Sequence, residues 1–486
     1  MLLMLVLYSL AAVGLALYGF NTLFTAWLYW RKRADTPVLP SLADFPTVTV
    51  QLPIYDEMYV VERLIDAAAS MDWPRERLQI QVLDDSDDET TAIAQKRIEL
   101  YKSRGIDIAL IKRPDRSGYK AGALAAGLAS ARGEYIAIFD ADFVPPAYFL
   151  KKTIPYFSTR SNLGLVQTRW GHLNADYSAL TRAQGIALDS HFVVEQTARS
   201  RNGLFMNFNG TAGVWRRRCI EECGGWQGDT LSEDLDLSYR AQIRGWRFMF
   251  LPDVVSPAEI PPQIHALKRQ QFRWAKGSIQ CLVKIGPVLV TKPNLPILKR
   301  IQGILHLSAY LVHPLMLVLL LTLIPLMAEQ ARFPEFMAYF SLAMFGPLTV
   351  FILSQRALYP DWGTRFRYII FLILLGTGLA LNNTFAVLGA FTRQRNTFRR
   401  TPKFSVAASG DSWNSKRYTL PFGWEALGEL GLAAYALFGV VLALQNKFFW
   451  TAPFLLLYAA SFGFTGCLSL WHSRPPGSNT IKLAAT

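Results

Sequence analysis

The sequence is short of charge and of the residues that build disulfide or zinc frameworks. Asp, Glu, Lys and Arg make up 18% of its 486 residues against 51% hydrophobic ones, which excludes a disordered chain and is far from the mix of an ordinary soluble enzyme. Four cysteines (Cys219, Cys223, Cys281, Cys467) show no paired CxxC spacing, so reduced, buried thiols are expected rather than a disulfide scaffold. Of the six histidines, His306 and His313 share an apolar window without a carboxylate partner, which favours packing or pore lining over a metal site. No GxGxxG or GxxxxGK[ST] occurs, so neither a dinucleotide fold nor a P-loop is supported. No zinc-finger, RNP-type or heptad-plus-basic pattern occurs either. The net charge of +14 therefore reads as cytosolic loops against anionic membrane lipid and as sites for a doubly charged phosphate donor, with no nucleic-acid partner.

The missing charge is concentrated in stretches. No Asp, Glu, Lys or Arg occurs before Arg31, between Arg300 and Glu329, Glu335 and Arg356, Arg367 and Arg393, Glu429 and Lys447, or Lys447 and Arg474. Each window reaches the roughly 17 to 25 residues of a membrane-spanning helix. The first has no basic residue ahead of it, exceeds a signal h-region, and is followed by Arg31, Lys32 and Arg33, so it reads as a retained anchor with its C-terminal end in the cytosol. Loop 329–335 is acidic and is placed outside; loop 356–367 and the stretch 393–429, with Arg393, Arg395, Arg399, Arg400, Lys403, Lys416 and Arg417, are basic and are placed inside. Both ends of 368–392 then face the cytosol, which makes that segment interfacial or re-entrant. The expected organisation is an anchor (1–30), a cytosolic catalytic domain (31–260), interfacial helices (261–300), two crossings (301–355), the re-entrant segment and a cytosolic loop (356–429), two crossings (430–473) and a cytosolic tail (474–486). The protein is expected in the inner (plasma) or another cell membrane, with five crossings.

Within the insert, short β-rich runs at 47–52, 79–84, 107–111, 135–139 and 163–168 alternate with helical stretches at 58–71, 89–103, 119–131 and 146–157. That spacing predicts an α/β fold with a mainly parallel sheet and helices on both faces. Ligands of such sheets bind at the carboxyl ends of the strands, which singles out Asp84 and Asp85 after the second strand and Asp140 and Asp142 after the fourth. Taken alone, the FDAD run at 139–142 suits a turn or helix cap as well as Mg²⁺ or Mn²⁺, whose hard oxygen ligands it supplies. Arg113, Arg116 and Lys120 precede a helix start and suit a diphosphate, or else a basic surface. Asp234, in SEDLD at 232–236, is a candidate general base, or with Ser232 part of a cap. Gln270, Arg273 and Trp274 sit on a basic, aromatic helix ahead of the next crossing, and suit an interfacial helix or contacts to phosphate and sugar.

In order and spacing, QVLDDS (81–86), GYKAGAL (118–124), FDADF (139–143), FNGTAGVWR (208–216), SEDLDL (232–237) and QQFRWAKG (270–277) resemble the processive inverting family 2 glycosyltransferases, most closely the cellulose-synthase-like branch with the mannan and glucomannan synthases. The likeness covers about residues 47–280. The stretch Phe398-x-Arg400-Thr401-Pro402-Lys403 resembles that family's gating loop, with Arg400 where cellulose synthases have Val, and SED stands where TED is common. The resemblance implies a GT-A-like fold and a donor nucleotide held by Pro53, Glu57, Asp84, Asp85, Lys120, Asp140 and Arg273. It implies Mg²⁺ or Mn²⁺ on Asp140 and Asp142, an acceptor sugar against Trp274 and Glu233, Asp234 as base, and Phe398, Thr401 and Lys403 closing over the donor. The implied reaction moves a hexose from GDP-mannose or UDP-glucose to the end of a growing β-linked, β-1,4 polysaccharide, with inversion and export through the membrane helices. Accessory subunits are left open. The competing expectations are a non-processive transferase that makes a glycolipid, and a transporter or receptor with a basic cytosolic domain.

Overall fold

The computed structural model describes residues 1–42, 44–331, 335–392, 398–406, 410–414 and 416–473. Arg332, Arg393, Arg395 and the tail 474–486, which enter the topology expectation, lie outside them.

YIAI is apolar throughout and VTVQLPI alternates apolar with polar residues, yet both form strands covered on both faces, with buried Gln51 donating to Gln81 Oε1 at 3.0 Å. Strands β1 (Val48–Ile54), β2 (Leu78–Asp84), β3 (Ile108–Lys112), β4 (Tyr135–Ile138), β5 (Leu163–His172), β6 (Gly213–Arg216) and β7 (Arg247–Ala258) make one sheet in the order β3-β2-β1-β4-β6-β5-β7. The first four pair in parallel, β6 runs antiparallel between β4 and β5, and β7 is parallel to β5. Side chains divide by the period of two. Val50 and Leu52 pack with Leu64 and Ile65 on one face, and Ile136 and Ile138 with Leu124 and Trp215 on the other.

The five strands expected from sequence are present within two residues at their starts, and β5 runs four residues beyond its expected end. Two strands were missed. β6 has only four residues, and β7 contains Pro252 and Pro257, which ordinarily argue against a strand. β7 tolerates them because it lies at the sheet edge, with a strand partner on one side.

Among the described residues, five helices are long and apolar enough to cross a membrane: Leu2–Lys32, Ala309–Ala328, Tyr339–Leu358, Glu425–Gln445 and Ala452–His472. The pair Trp362–Gly378 and Ala380–Ala390 is bent by 42° at its junction. Helix Ile264–Thr291 is stitched to the last two of the five. Ile264 N–H donates to His472 Nδ1 at 3.0 Å, and Lys268 Nζ meets Glu429 at 2.6 Å and Ser469 Oγ at 2.8 Å. Both members of that ion pair are buried.

His306 has a carboxylate neighbour from outside its own window: Glu195, on a π-helical segment Ser190–Gln196, lies 3.9 Å away, and Tyr239 OH is 2.8 Å from His306 Nδ1. One expectation needs correction. Three of the cysteines are buried thiols, but Cys467 is exposed on the last apolar helix.

Candidate active site

Because β1, β2 and β4 are parallel, their carboxyl ends open on one edge, where two adjoining cavities lie. One is lined by Pro53, Tyr55, Glu57, Asp85, Arg116 and Thr401, and the other by Asn209, Glu233, Asp234, Glu259, Gln270 and Trp274. Lys120, Asp140, Asp142, Arg273 and Lys403 line both.

The two carboxylates after β4 are each met by a lysine. Lys120, near the start of helix Tyr119–Ser130, pairs with Asp140 and donates to Gly210 O at 2.8 Å. Burial works against its ammonium, but Asp140 and Glu233 outweigh that and raise its pKa. Lys403 Nζ lies 2.6 Å from Asp142 Oδ2. The loop carrying Lys403 is latched by Glu259, which accepts from Phe404 N–H at 2.9 Å and Ser405 N–H at 2.8 Å. Phe398 of the same loop stacks on Tyr119 at 5.6 Å and lies under the Arg273 guanidinium at 4.7 Å.

Asp234 is in the first turn of helix Glu233–Ile243, and its Oδ1 accepts from Leu235 N–H at 2.8 Å. Ser232 makes no side-chain capping bond there, so the run is more than a helix cap. Burial first, and then the charge of Glu233, push the Asp234 carboxyl up to about 7 against the opposing pull of Lys120 and Arg273. This is the range in which a carboxylate can take a proton at neutral pH. Gly210, at φ +81°, lets the FNGT loop pass close by; a Cβ there would sit 3.0 Å from Asp234 Oδ2.

Around the first cavity, Arg116 Nε, Arg273 Nε and Arg400 Nη1 are buried without a hydrogen-bond partner. Unmet buried donors cost about 1–3 kcal/mol each, and three of them beside paired aspartates suit a phosphate-bearing ligand. Arg400 lies 3.8 Å from Glu57 and 4.3 Å from the Tyr418 ring. Burial raises Glu57 to about 7 despite Arg400 and Lys403.

The structure brings the residues expected at the site together, with two exceptions, Asp84 and Arg113. The Asp84 carboxylate is buried and turned inward, accepting from Ser86 N–H at 2.9 Å and Thr91 Oγ1 at 2.6 Å, so it shapes the turn after β2 and lines neither cavity. Asp85 does line the first cavity but is forked by Arg113 at 2.9 and 2.5 Å, which removes Arg113 from the phosphate-binding candidates. Sequence reasoning missed Tyr55, whose ring carries the Arg116 guanidinium at 3.2 Å, and Glu259. Glu259 follows the unrecognised β7, so its place at a strand end was hidden.

The residues fit a divalent cation. Asp140 and Asp142 offer hard oxygen at a strand end, and each is now balanced by an ammonium group. Among the described residues no cluster of three or more acidic, His or Cys side chains could hold a metal on its own, so the remaining ligands would be phosphate oxygens and water, as is usual for Mg²⁺ or Mn²⁺ with nucleotides.

The sequence profile described as "Glycosyltransferase like family 2" matches residues 46–277. Glucomannan 4-beta-mannosyltransferase 1 of Oryza sativa subsp. japonica is 35% identical over 418 residues, 82% of this chain and 78% of that protein. The chain belongs to glycosyltransferase family 2. Within this family it is also similar to "Probable glucomannan 4-beta-mannosyltransferase 7" of Oryza sativa subsp. japonica, 41% identical over 275 residues, 56% of this chain and 47% of that protein. Glucomannan 4-beta-mannosyltransferase 2 of Arabidopsis thaliana is 40% identical over 289 residues, 57% of this chain and 54% of that protein. In these two the match spans about half the relative's length. The family's fold is also found in a mannosyltransferase from Pyrobaculum calidifontis solved with GDP-Man and Mn2+, at 22% identity and a TM-score of 0.53 over 79% of this chain and 100% of that one.

Proposed function

We propose that the protein is a processive, membrane-embedded β-mannan or glucomannan synthase that transfers mannose from GDP-mannose to the non-reducing end of a β-1,4-linked chain, with inversion. The observation that carries this reading is the pair of cavities meeting at Lys120, Asp140, Asp142, Arg273 and Lys403, one walled by unmet guanidinium donors and the other by Asp234 and Trp274. The 35–41% identical relatives named as glucomannan mannosyltransferases favour mannose over glucose as the transferred sugar.

In this mechanism the first cavity takes the nucleotide, with Arg273 and Lys120 on its diphosphate. Asp140 and Asp142 would hold a divalent cation, which when bound would neutralise charge on the leaving diphosphate. The acceptor's terminal sugar rests on Trp274. Asp234 takes the proton from its hydroxyl as that oxygen attacks the anomeric carbon, and a single base with no second carboxylate acting as nucleophile means one displacement and inversion at that carbon. The five apolar helices cross the membrane. The bent pair returns to the catalytic side: Arg182 of the catalytic domain reaches Tyr368 at its start, and the loop after its end reaches Asp142.

The test is to incubate the purified chain with GDP-mannose, UDP-glucose and UDP-GlcNAc plus Mg²⁺ or Mn²⁺, followed by linkage analysis. A long β-1,4-mannose product supports the reading. Polymer from UDP-glucose alone replaces the donor, one organic-extractable product indicates a glycolipid transferase, and no transfer from any nucleotide sugar refutes the enzyme assignment.

A further inference from the structure

A third cavity shares only His172 with the catalytic pair. It is walled by helix Ala179–Asp189, the turn at Tyr359 and Asp361, and the first turns of helix Trp362–Gly378. Its floor is a knot around buried Asp189, which meets His172 Nε2 at 2.9 Å and accepts from Gln355 Nε2 at 2.9 Å and Tyr359 OH at 3.2 Å. Its walls carry Arg182, Arg365 and Arg367.

These guanidinium groups rest on rings. Arg182 and Arg367 lie over Tyr368 at 4.8 and 5.0 Å, and Arg365 over Tyr359 at 3.6 Å. The carboxylates that reach two of them, Asp176 and Asp361, do so at 3.3 Å with side chains 77% and 55% exposed. Exposed pairs of this kind are worth about 0–1 kcal/mol and give way to a better anion. Among the described residues Arg367 makes no ion pair.

The first turns of the same helix carry an exposed apolar stripe. Trp362, Phe366 and Ile370, spaced i, i+4 and i+8, are 37%, 48% and 59% exposed, although the chain has enough helix to cover them. At about 100° per residue, Arg365 and Tyr368 lie roughly 100° and 160° round the helix from the centre of that stripe. Arg365 and Arg367 flank the stripe on either side within the first two turns, and the helix beyond Tyr368 is apolar, a pattern that puts the arginines at headgroup level where an apolar helix enters lipid.

We propose that this cavity binds the phosphate ester of an anionic membrane lipid, with the three arginines forking onto its oxygens and the acyl chains running along Trp362, Phe366 and Ile370. A soluble phosphate ester offers the same chemistry to the arginines but leaves the apolar stripe unused. His172 lines both this cavity and the one holding Asp234 and Trp274. The inference rests on the reading of the chain as a membrane enzyme.

The test reconstitutes the full chain into nanodiscs of phosphatidylcholine with phosphatidylglycerol and counts retained lipids by native mass spectrometry. Wild type is expected to retain phosphatidylglycerol about tenfold over phosphatidylcholine, the worth of roughly 1.4 kcal/mol. Arg182→Gln/Arg365→Gln/Arg367→Gln is expected to lose that preference, while Lys96→Gln/Lys102→Gln, exposed basic residues on helix Thr90–Ser103 of the catalytic domain, keeps it. If the triple variant fails to fold, Arg367→Gln alone, at an exposed position, is expected to lose part of it. Equal retention by a folded arginine variant and wild type overturns the site, and displacement of the lipid by inorganic phosphate overturns the lipid assignment. Failure to enter nanodiscs at all refutes the membrane reading instead.

Discussion

The pH dependence of turnover is the sharpest consequence of the Asp234 environment. Its carboxyl is raised from 3.8 to about 7, by burial first and the charge of Glu233 second. If Asp234 is the base, kcat at saturating donor and acceptor follows its ionised fraction: about half of maximal near pH 7 and falling about tenfold for each unit below that. Glu233→Gln removes the second cause and leaves burial in place, so the acid limb is expected to move down by part of the shift. The sign for stability is opposite. Between pH 3.8 and about 7 the folded state holds the Asp234 proton that the unfolded chain has released, so this residue's contribution to stability declines as pH rises through that window. Asp234→Asn is therefore expected to abolish transfer while keeping donor binding and melting no lower than wild type at pH 8. Initial rates from pH 5 to 9, nucleotide binding by calorimetry and thermal melts check this together. A kcat that stays level across that range, or polymer made by Asp234→Asn at the normal rate, refutes the assignment.

Lys403→Ala is expected to bind Mn²⁺ more tightly in the absence of donor, because the ammonium 2.6 Å from Asp142 no longer competes; the free-Mn²⁺ electron paramagnetic resonance signal measures it, and unchanged affinity counts against the site. Gly277→Ala places a Cβ 2.1 Å from Ser232 Oγ and 3.0 Å from the Leu231 carbonyl carbon, so the turn before Asp234 must shift; activity is expected to drop at least tenfold with donor affinity nearly unchanged, as read by kcat against KM. Glu429→Gln leaves Lys268 buried without its partner and is expected to cost about 3–5 kcal/mol, whereas removing both charges with Lys268→Met/Glu429→Leu recovers most of that; melts of the detergent-purified variants compare the two.

Much of the architecture was legible because the sheet is parallel. Its strands are short, β-branched-rich runs spaced by helices, and the acidic residues after them, Asp85, Asp140 and Asp142, mark the edge where the cavities lie. The failures share a cause as well. β7 carries two prolines, which ordinarily argue against a strand, and without it Glu259 had no visible reason to face the site. Asp84 and Asp85 are adjacent in sequence, but successive side chains of an extended strand point to opposite faces, so one turned inward to Thr91 and the other toward the cavity. Glu195 reaches His306 across 111 positions of sequence, a separation at which local pattern carries no information.

The ion pair between Lys268 and Glu429 joins residues 161 apart, and that distance sets an order of assembly. During synthesis the catalytic sheet and the helix bearing Gln270, Arg273 and Trp274 are complete long before Glu429, His472 and Ser469 have left the ribosome. Until the last two apolar helices are made, Lys268 lacks its counter-charge and the helix that carries Gln270, Arg273 and Trp274 lacks that footing. On the function proposed above, competence to elongate would therefore arrive only with the completed set of apolar helices.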